Sequence, residues 1–341
     1  MRALFAGGGG PPYFREVPEP RITSGIEAIV RPLAVALCDL DVPYITNRIP
    51  MANPYAVGHE FTAEVVEVGE SVTSLLPGDR IVVPFQISCG GCTRCRSARS
   101  LDCSSVAPLS TFGLAPFGGG EKWGGAAADL VKIPFADAMA VRLPADADPT
   151  ALASVSDNVA DGYRCVAPHI RPGDEILIIG SASVGLYACA VADALAVPCT
   201  YVDTSRERLA VAERLGARTI EAQADGRSFG EFYVTAACIS TADGLKSAIL
   251  STAAGGICQS AGIHFQATDL PLLEMYRRGI HFTTGRASAR DDIPAILALV
   301  ARDKLRPAVV TARTVSIDSA PKALGEPLSH KTVLVMRSTP T

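Results

Sequence analysis

Short apolar runs broken by turn residues fill the first part of the chain, and a longer alternation of strand and helix patterns fills the middle. Residues 61–68 (FTAEVVEV) and 79–83 (DRIVV) are rich in β-branched side chains and bounded by Gly and Pro, which predicts short strands. Between them, Pro77-Gly78-Asp79 predicts a tight turn, because Pro presets φ and Gly takes a conformation other residues avoid. The first ~150 residues therefore read as a β-rich, partly barrel-like domain. From about Ser154 the pattern changes. Residues 175–179 (EILII) are a continuous apolar run, as in a strand buried on both faces. A Gly-containing turn and an apolar helical stretch over 184–195 follow. Residues 200–203 (TYVD) predict the next strand, and 205–215 a charged amphipathic helix closed by Gly216. Strand, helix, strand, helix in this order implies a parallel sheet. No internal repeat is visible, and the only low-complexity tract is the run of glycines at 7–10.

Bulk composition narrows the class. With 341 residues, 48% hydrophobic and 19% charged, the chain has enough apolar material for one large or two medium cores. A net charge of −4 gives no footprint for nucleic acid or an acidic membrane surface. The first residues, MRALFAGGGGPPYFREV, lack the apolar core of a secretory signal. The most apolar stretch, 176–192, is interrupted by Gly and Ser and is short for a membrane span. A cytoplasmic chain without membrane or nucleic-acid partners is expected. Ten cysteines do not argue against this, because four of them fall at 89, 92, 95 and 103. That clustering suits thiolate–metal chemistry in a reducing compartment better than a disulfide scaffold.

Two constellations carry specific chemistry. The turn after EILII reads Gly180-Ser181-Ala182-Ser183-Val184-Gly185. A dinucleotide-binding turn uses its first Gly for the bend, a small residue where the backbone nears the pyrophosphate, and its last Gly for close helix packing. Gly180 and Gly185 fit, Ala182 stands at the middle position, and Val184 completes the turn. Asp203, 23 residues after Gly180, ends the next strand. There an acid accepts hydrogen bonds from ribose hydroxyls and repels a 2′-phosphate, which favours NAD over NADP. The plainer role for Asp203 is capping the helix that follows. Cys89, Cys92, Cys95 and Cys103 have the spacing C-x2-C-x2-C-x7-C, which can enclose one tetrahedral zinc with no open position, a structural site. A bacterial iron–sulfur run would close with three residues and Cys-Pro. A zinc ribbon would need two knuckles about 15–20 residues apart.

Cys38 and His59, 21 residues apart, are ordinary core residues taken singly. Beside a cofactor domain and a cysteine cluster they become candidate ligands of an open, catalytic zinc, which needs three protein ligands and one free position. With these pieces in place the chain resembles the zinc-containing medium-chain alcohol dehydrogenases from end to end. The matching residues are Cys38, Gly58-His59-Glu60, the cysteine cluster, the 180–185 turn with Asp203, and Tyr163 in its SDNVADGY segment. The resemblance implies a β-rich GroES-like catalytic domain over 1–157 and 285–341, around a Rossmann NAD-binding domain with a doubly wound parallel sheet over 158–284. It makes Asp157 the third ligand of the catalytic zinc, where many members carry Cys. Glu60 becomes the carboxylate beside the metal and Asp41 the acid that orients His59. Lys331 becomes a basic contact to the pyrophosphate and Arg208 one near the adenosine ribose. A homodimer or homotetramer is the family's habit.

Three positions depart from that pattern. Leu40 and Pro43 replace the hydroxyl and histidine that usually relay the alcohol proton, and Asp161 replaces a residue, commonly Thr, that packs on the nicotinamide. Leu40 and Phe85 are expected to wall an apolar substrate pocket. The implied function is zinc-dependent hydride transfer between NAD(H) and an alcohol/carbonyl pair. Reduction of a C=N or conjugated C=C bond, which needs no alcohol relay, and a non-catalytic zinc- and nucleotide-binding protein stand as alternatives.

Overall fold

The computed structural model describes residues 1–46, 48–49, 51–114, 123–325 and 330–337. The chain divides into two compact units. One comprises Met1–Asp157, Ser288–Leu297 and Thr311–Thr341; the other comprises Asn158–Ala287 and Ala298–Val310. The chain passes into the second unit at 157/158, returns to the first at 288, and runs through the second again over 298–310. The short 3-10 turn Pro307–Val310 packs on the helix Ser183–Ala194, which ties that last segment to the second unit.

The first unit is built on a mixed sheet in the order Arg313–Ser316, Thr332–Val335, Ala28–Leu37, Glu60–Val68, Arg80–Val83, Val141–Arg142. Val131–Ile133 adds to the far part of Ala28–Leu37, and a small sheet of Gly10–Glu16, Arg2–Gly7 and Tyr55–Ala56 stands apart. The expected strands at 61–68 and 79–83 appear as Glu60–Val68 and Arg80–Val83, antiparallel to each other. Gly78 between them has a φ of +92°, the conformation that selects Gly at this turn. Inward side chains such as Val30, Val35, Phe61, Ile81, Val83 and Phe112 are fully buried and make one core. Phe61 and Phe112 meet edge to face at 5.5 Å, the arrangement that aromatic quadrupoles favour.

The second unit is a six-stranded, all-parallel sheet in the order Arg218–Glu221, Cys199–Asp203, Ile176–Gly180, Phe232–Cys238, Thr252–Ser260, His281–Thr284. The chain starts in the middle and winds outward both ways, the doubly wound order of a Rossmann sheet. Every residue of Ile176–Gly180 is buried, as its unbroken apolar run requires when both faces are covered. The helices expected at 184–195 and 205–215 form as Ser183–Ala194 and Arg206–Arg214. Ser205 caps the second through its hydroxyl, and Gly216 follows it with a φ of +74°. The stretch read as too short to span a membrane is thus a strand, a turn and a helix. Among the described residues no helix is long and apolar enough to cross a membrane.

Candidate metal and cofactor sites

Strand register assembles the first site. Ala28–Leu37 runs between two antiparallel neighbours and pairs Ala36 with Glu60 on one side and Leu37 with Thr332 on the other. Cys38 leaves the end of the central strand, His59 and Glu60 enter the second, and Lys331 enters the third. The three strand ends therefore converge. Asp157 is carried to them by the 3-10 turn Ala153–Ser156, whose Ser156 hydroxyl donates to Ala153 O and accepts the Phe61 amide at 2.8 Å.

The ligand atoms of Cys38, His59, Glu60 and Asp157 all lie within 4.8 Å of one another, and all four residues are buried. His59 Nε2 faces Asp157 Oδ2 at 3.3 Å, and Nδ1 faces Asp41 Oδ1 at 3.4 Å. Neither contact has hydrogen-bond geometry, so both ring nitrogens are buried without a bonded partner. Asp41 is itself fixed by accepting the Cys38 amide at 3.0 Å. The Phe85 ring packs edge-on to the imidazole with centroids 6.1 Å apart, and Leu40 packs against the adjoining core.

Electrostatics shows what this pocket lacks. Burial, reinforced by the charge of Asp157, pushes the Cys38 thiol up to about 12. Burial lowers His59, but the charge of Asp41 and the neighbouring Asp157 override it and hold it well above the usual histidine value. Burial raises Glu60 to about 7 against the pull of Lys331, with Asp157 adding to the rise. Cys38 and Glu60 hold on to their protons chiefly because burial disfavours their charged forms. One thiol, one imidazole and one carboxylate around an orphaned ring nitrogen suit a zinc ion, whose charge would displace those protons.

Lys331, expected from the resemblance at the pyrophosphate, has a fully buried ammonium that donates to Glu60 Oε1 at 2.8 Å. The cause is the register of Thr332–Val335, which places the preceding residue beside the nearest buried anion. A buried ammonium without a partner is costly, so the pair holds together.

The second metal site forms as the spacing suggests. Cys92 caps the short helix Thr93–Arg96, and the sulfurs of Cys89, Cys92, Cys95 and Cys103 lie within 4.8 Å of one another. Cys92 Sγ stands 3.4 Å from Cys95 Sγ and 4.0 Å from Cys103 Sγ. Sulfurs bound at 2.3 Å to one tetrahedral zinc stand about 3.8 Å apart, so the cluster has the size of that shell. The Cys95 amide lowers Cys92 to about 5, whereas burial and Cys92 raise Cys95 to about 12. Thiols that disagree this strongly are sharing protons a cation would remove. Arg94 and Arg96 spend guanidinium donors on Asp102 O and Gly91 O, as a structured loop surface would.

In the second unit, Gly180, Ala182, Val184 and Gly185 make the turn and first residues of the helix Ser183–Ala194. Its N-terminus has no side-chain cap, and a helix N-terminus is where a phosphate group is favoured. Glycine is required at 180: a Cβ there would stand 2.1 Å from the Tyr201 hydroxyl oxygen. Asp203 is almost fully buried, and its oxygens are already engaged. Oδ1 accepts from the Ser205 amide and Arg208 Nη2 at 2.8 and 2.7 Å; Oδ2 accepts from Tyr201 OH and Arg208 Nε at 2.8 and 2.7 Å. Asp203 thus bonds the backbone just ahead of the helix Arg206–Arg214, close to the capping role that its sequence position allowed. Asp161 pairs with Arg164 on its own helix. Sequence reasoning missed Tyr201 and the Lys331–Glu60 pair; the i, i+2 spacing of Tyr201 and Asp203 on one strand was the available signal for the first.

Residues 24–145 match the alcohol dehydrogenase GroES-like domain. A medium-chain reductase/dehydrogenase of Acremonium sp. is 32% identical over 215 residues, 60% of this chain and 70% of the relative. A zinc-type alcohol dehydrogenase-like protein of Bacillus subtilis is 25% identical over 346 residues, 90% of this chain and 91% of its own. The alcohol dehydrogenase structure from Thermus sp. ATN1 superposes with a TM-score of 0.90 at 28% identity, covering 99% of this chain and 100% of that one. The chain belongs to the medium-chain dehydrogenase/reductase family. It is a zinc-dependent, NAD-using oxidoreductase of the alcohol dehydrogenase type.

Two outcomes are expected of the metals. Cys92→Ser should lower folded yield and thermal stability more than it lowers turnover per folded molecule, because a closed four-thiolate site contributes folding energy; elemental analysis and melting curves read this. On acidification, zinc should leave the Cys38 site as Cys38 and His59 retain protons. Affinity falls with pH because each ligand binds metal only when deprotonated. Zinc release followed with a chromogenic chelator between neutral pH and pH 5 checks the direction.

Proposed function

We propose that Cys38, His59 and Asp157 hold the catalytic zinc and that Gly180, Ala182, Val184, Gly185, Asp203 and Arg208 bind NAD(H), for hydride exchange with an alcohol/carbonyl pair. The observation carrying this reading is the buried His59 Nε2, without a bonded partner, between Cys38 and Asp157. Zinc held by Cys38, His59 and Asp157 would supply a Lewis acid for the substrate oxygen. Asp41 orients the imidazole from behind, and Glu60, held by Lys331, supplies a second carboxylate at the metal. The cysteine cluster holds the second, structural zinc.

The substrate we infer is apolar at its reacting end, since Leu40 and the Phe85 ring flank the ligands. Neither Leu40 nor Pro43 bears a group that can carry a proton, so the proton must move through bound water or through an acid such as Asp39, Glu60 or Asp161. Oxidation of simple alcohols is expected to be slow and to accelerate as pH rises, since proton relays are worth about two to four orders of magnitude. NADH is expected to serve at least about tenfold better than NADPH, through the Asp203 carboxylate. Assays with both cofactors and a panel of aldehydes, ketones, imines and conjugated alkenes test this. Turnover confined to imines or alkenes would move the assignment to the alternative reductase, and no hydride transfer to any acceptor would sink it.

We also infer a homo-oligomer in the cytoplasm. None of the ten cysteines is in a disulfide, as suits a reducing compartment. Phe265, Leu272, Leu273 and Tyr276 are more than half exposed, and His281–Thr284 is an edge strand of its sheet. Exposed apolar side chains and a sheet edge favour self-association. Sedimentation should give a dimer or tetramer, and Tyr276→Glu should shift it toward monomer.

A further inference from the structure

The cofactor reading leaves one residue without a role: Tyr201, fully buried at the centre of the strand Cys199–Asp203. Its ring lies against the backbone of the dinucleotide turn. A Cβ on Gly180 would meet the ring and hydroxyl at 2.1–2.3 Å, and one on Gly185 would meet the ring at 3.2 Å. Two residues on, and therefore on the same face, stands Asp203, which accepts the Tyr201 hydroxyl on Oδ2 at 2.8 Å. One side chain thus touches both halves of the cradle, the turn and the acid.

The carboxylate of Asp203 accepts four hydrogen bonds, from Tyr201, the Ser205 amide and two nitrogens of Arg208. An ionised carboxylate offers about four lone-pair sites, so none remains for ribose hydroxyls until a donor yields. The four donors differ in mobility. The Ser205 amide belongs to the backbone, and Tyr201 is wedged under the turn. The Arg208 side chain is 22% exposed on a long flexible stem. Arg208 is the donor that can leave.

We propose that Tyr201 is a positioning residue for the cofactor's adenosine ribose: it holds the Asp203 carboxylate in a fixed orientation relative to the turn, while Arg208 exchanges its place on that carboxylate for the ribose hydroxyls. This rests on the NAD(H) site assignment above. With Arg208 gone from the acid, the Tyr201 hydroxyl and the Ser205 amide are what keep both oxygens aimed.

Binding experiments test it without catalysis. Three probes are titrated calorimetrically: NADH, ADP-ribose, and reduced nicotinamide mononucleotide, which lacks the adenosine ribose. Tyr201→Phe removes only the hydroxyl and should weaken NADH and ADP-ribose about tenfold to 150-fold, the range for a hydrogen bond to a charged group. It should leave the mononucleotide's affinity unchanged; equal weakening of all three would show general loosening of the fold and overturn the proposal. In an Asp203→Ala background the same change should add nothing, because the two residues act as one unit. Additive losses would count against it. Arg208→Gln, which does not disturb the packed turn, should weaken ADP-ribose less than Tyr201→Phe does; a larger loss would make Arg208 the positioning group. If the unmodified protein takes up no ADP-ribose, the cofactor assignment fails and this inference with it. Uptake by the unmodified protein with unchanged affinity in Tyr201→Phe overturns this inference alone.

Discussion

The first unit depends on a shortage of buried positive charge. Cys38, Asp41, Glu60 and Asp157 surround His59, and Lys331 is the ammonium that reaches them. Charges taken out of water must be matched or neutralised, and the raised Cys38 and Glu60 values show protons doing part of that work. A divalent cation bound by the thiolate and carboxylate would do it better, which ties the site's electrostatics to its chemistry. The Glu60–Lys331 pair places one carboxyl group and one ammonium next to the ligands, with Lys331 opposing part of the rise that burial causes in Glu60.

In the second unit the controlling constraint is steric. The close approach of Tyr201 to Gly180 leaves no room for any side chain at the first position of the turn. The same packing aims the Tyr201 hydroxyl at Asp203. Ala182 in place of a middle glycine is accommodated because its backbone is extended, with φ −163°, a conformation open to any residue.

What could be read from the sequence was what is local in it. The glycine turn, the cysteine spacing and the apolar run at 176–179 each specify their structure within a few residues, and each formed within a residue or two of its expected place. The grouping of Cys38, His59 and Asp157 needed the family resemblance, because their meeting depends on strands and a turn separated by up to 119 positions. The Lys331–Glu60 pair was illegible for the same reason: a register between Leu37 and Thr332 carries no signature in either segment. The return of 298–310 to the second unit turned on packing against the helix Ser183–Ala194, which periodicity does not encode.

The pairing of Glu60 with Lys331 also sets an order of assembly. The two residues are separated by 271 positions, with the whole cofactor unit between them. During synthesis the ribosome therefore releases Cys38, His59 and Asp157 long before the residue that balances Glu60 exists. Until then a nascent first unit would carry its ligand cluster without its lysine, and would lack the strand pair Arg313–Ser316 and Thr332–Val335 that closes that side of the sheet. The unit that begins the chain would then be the later of the two to reach its final form.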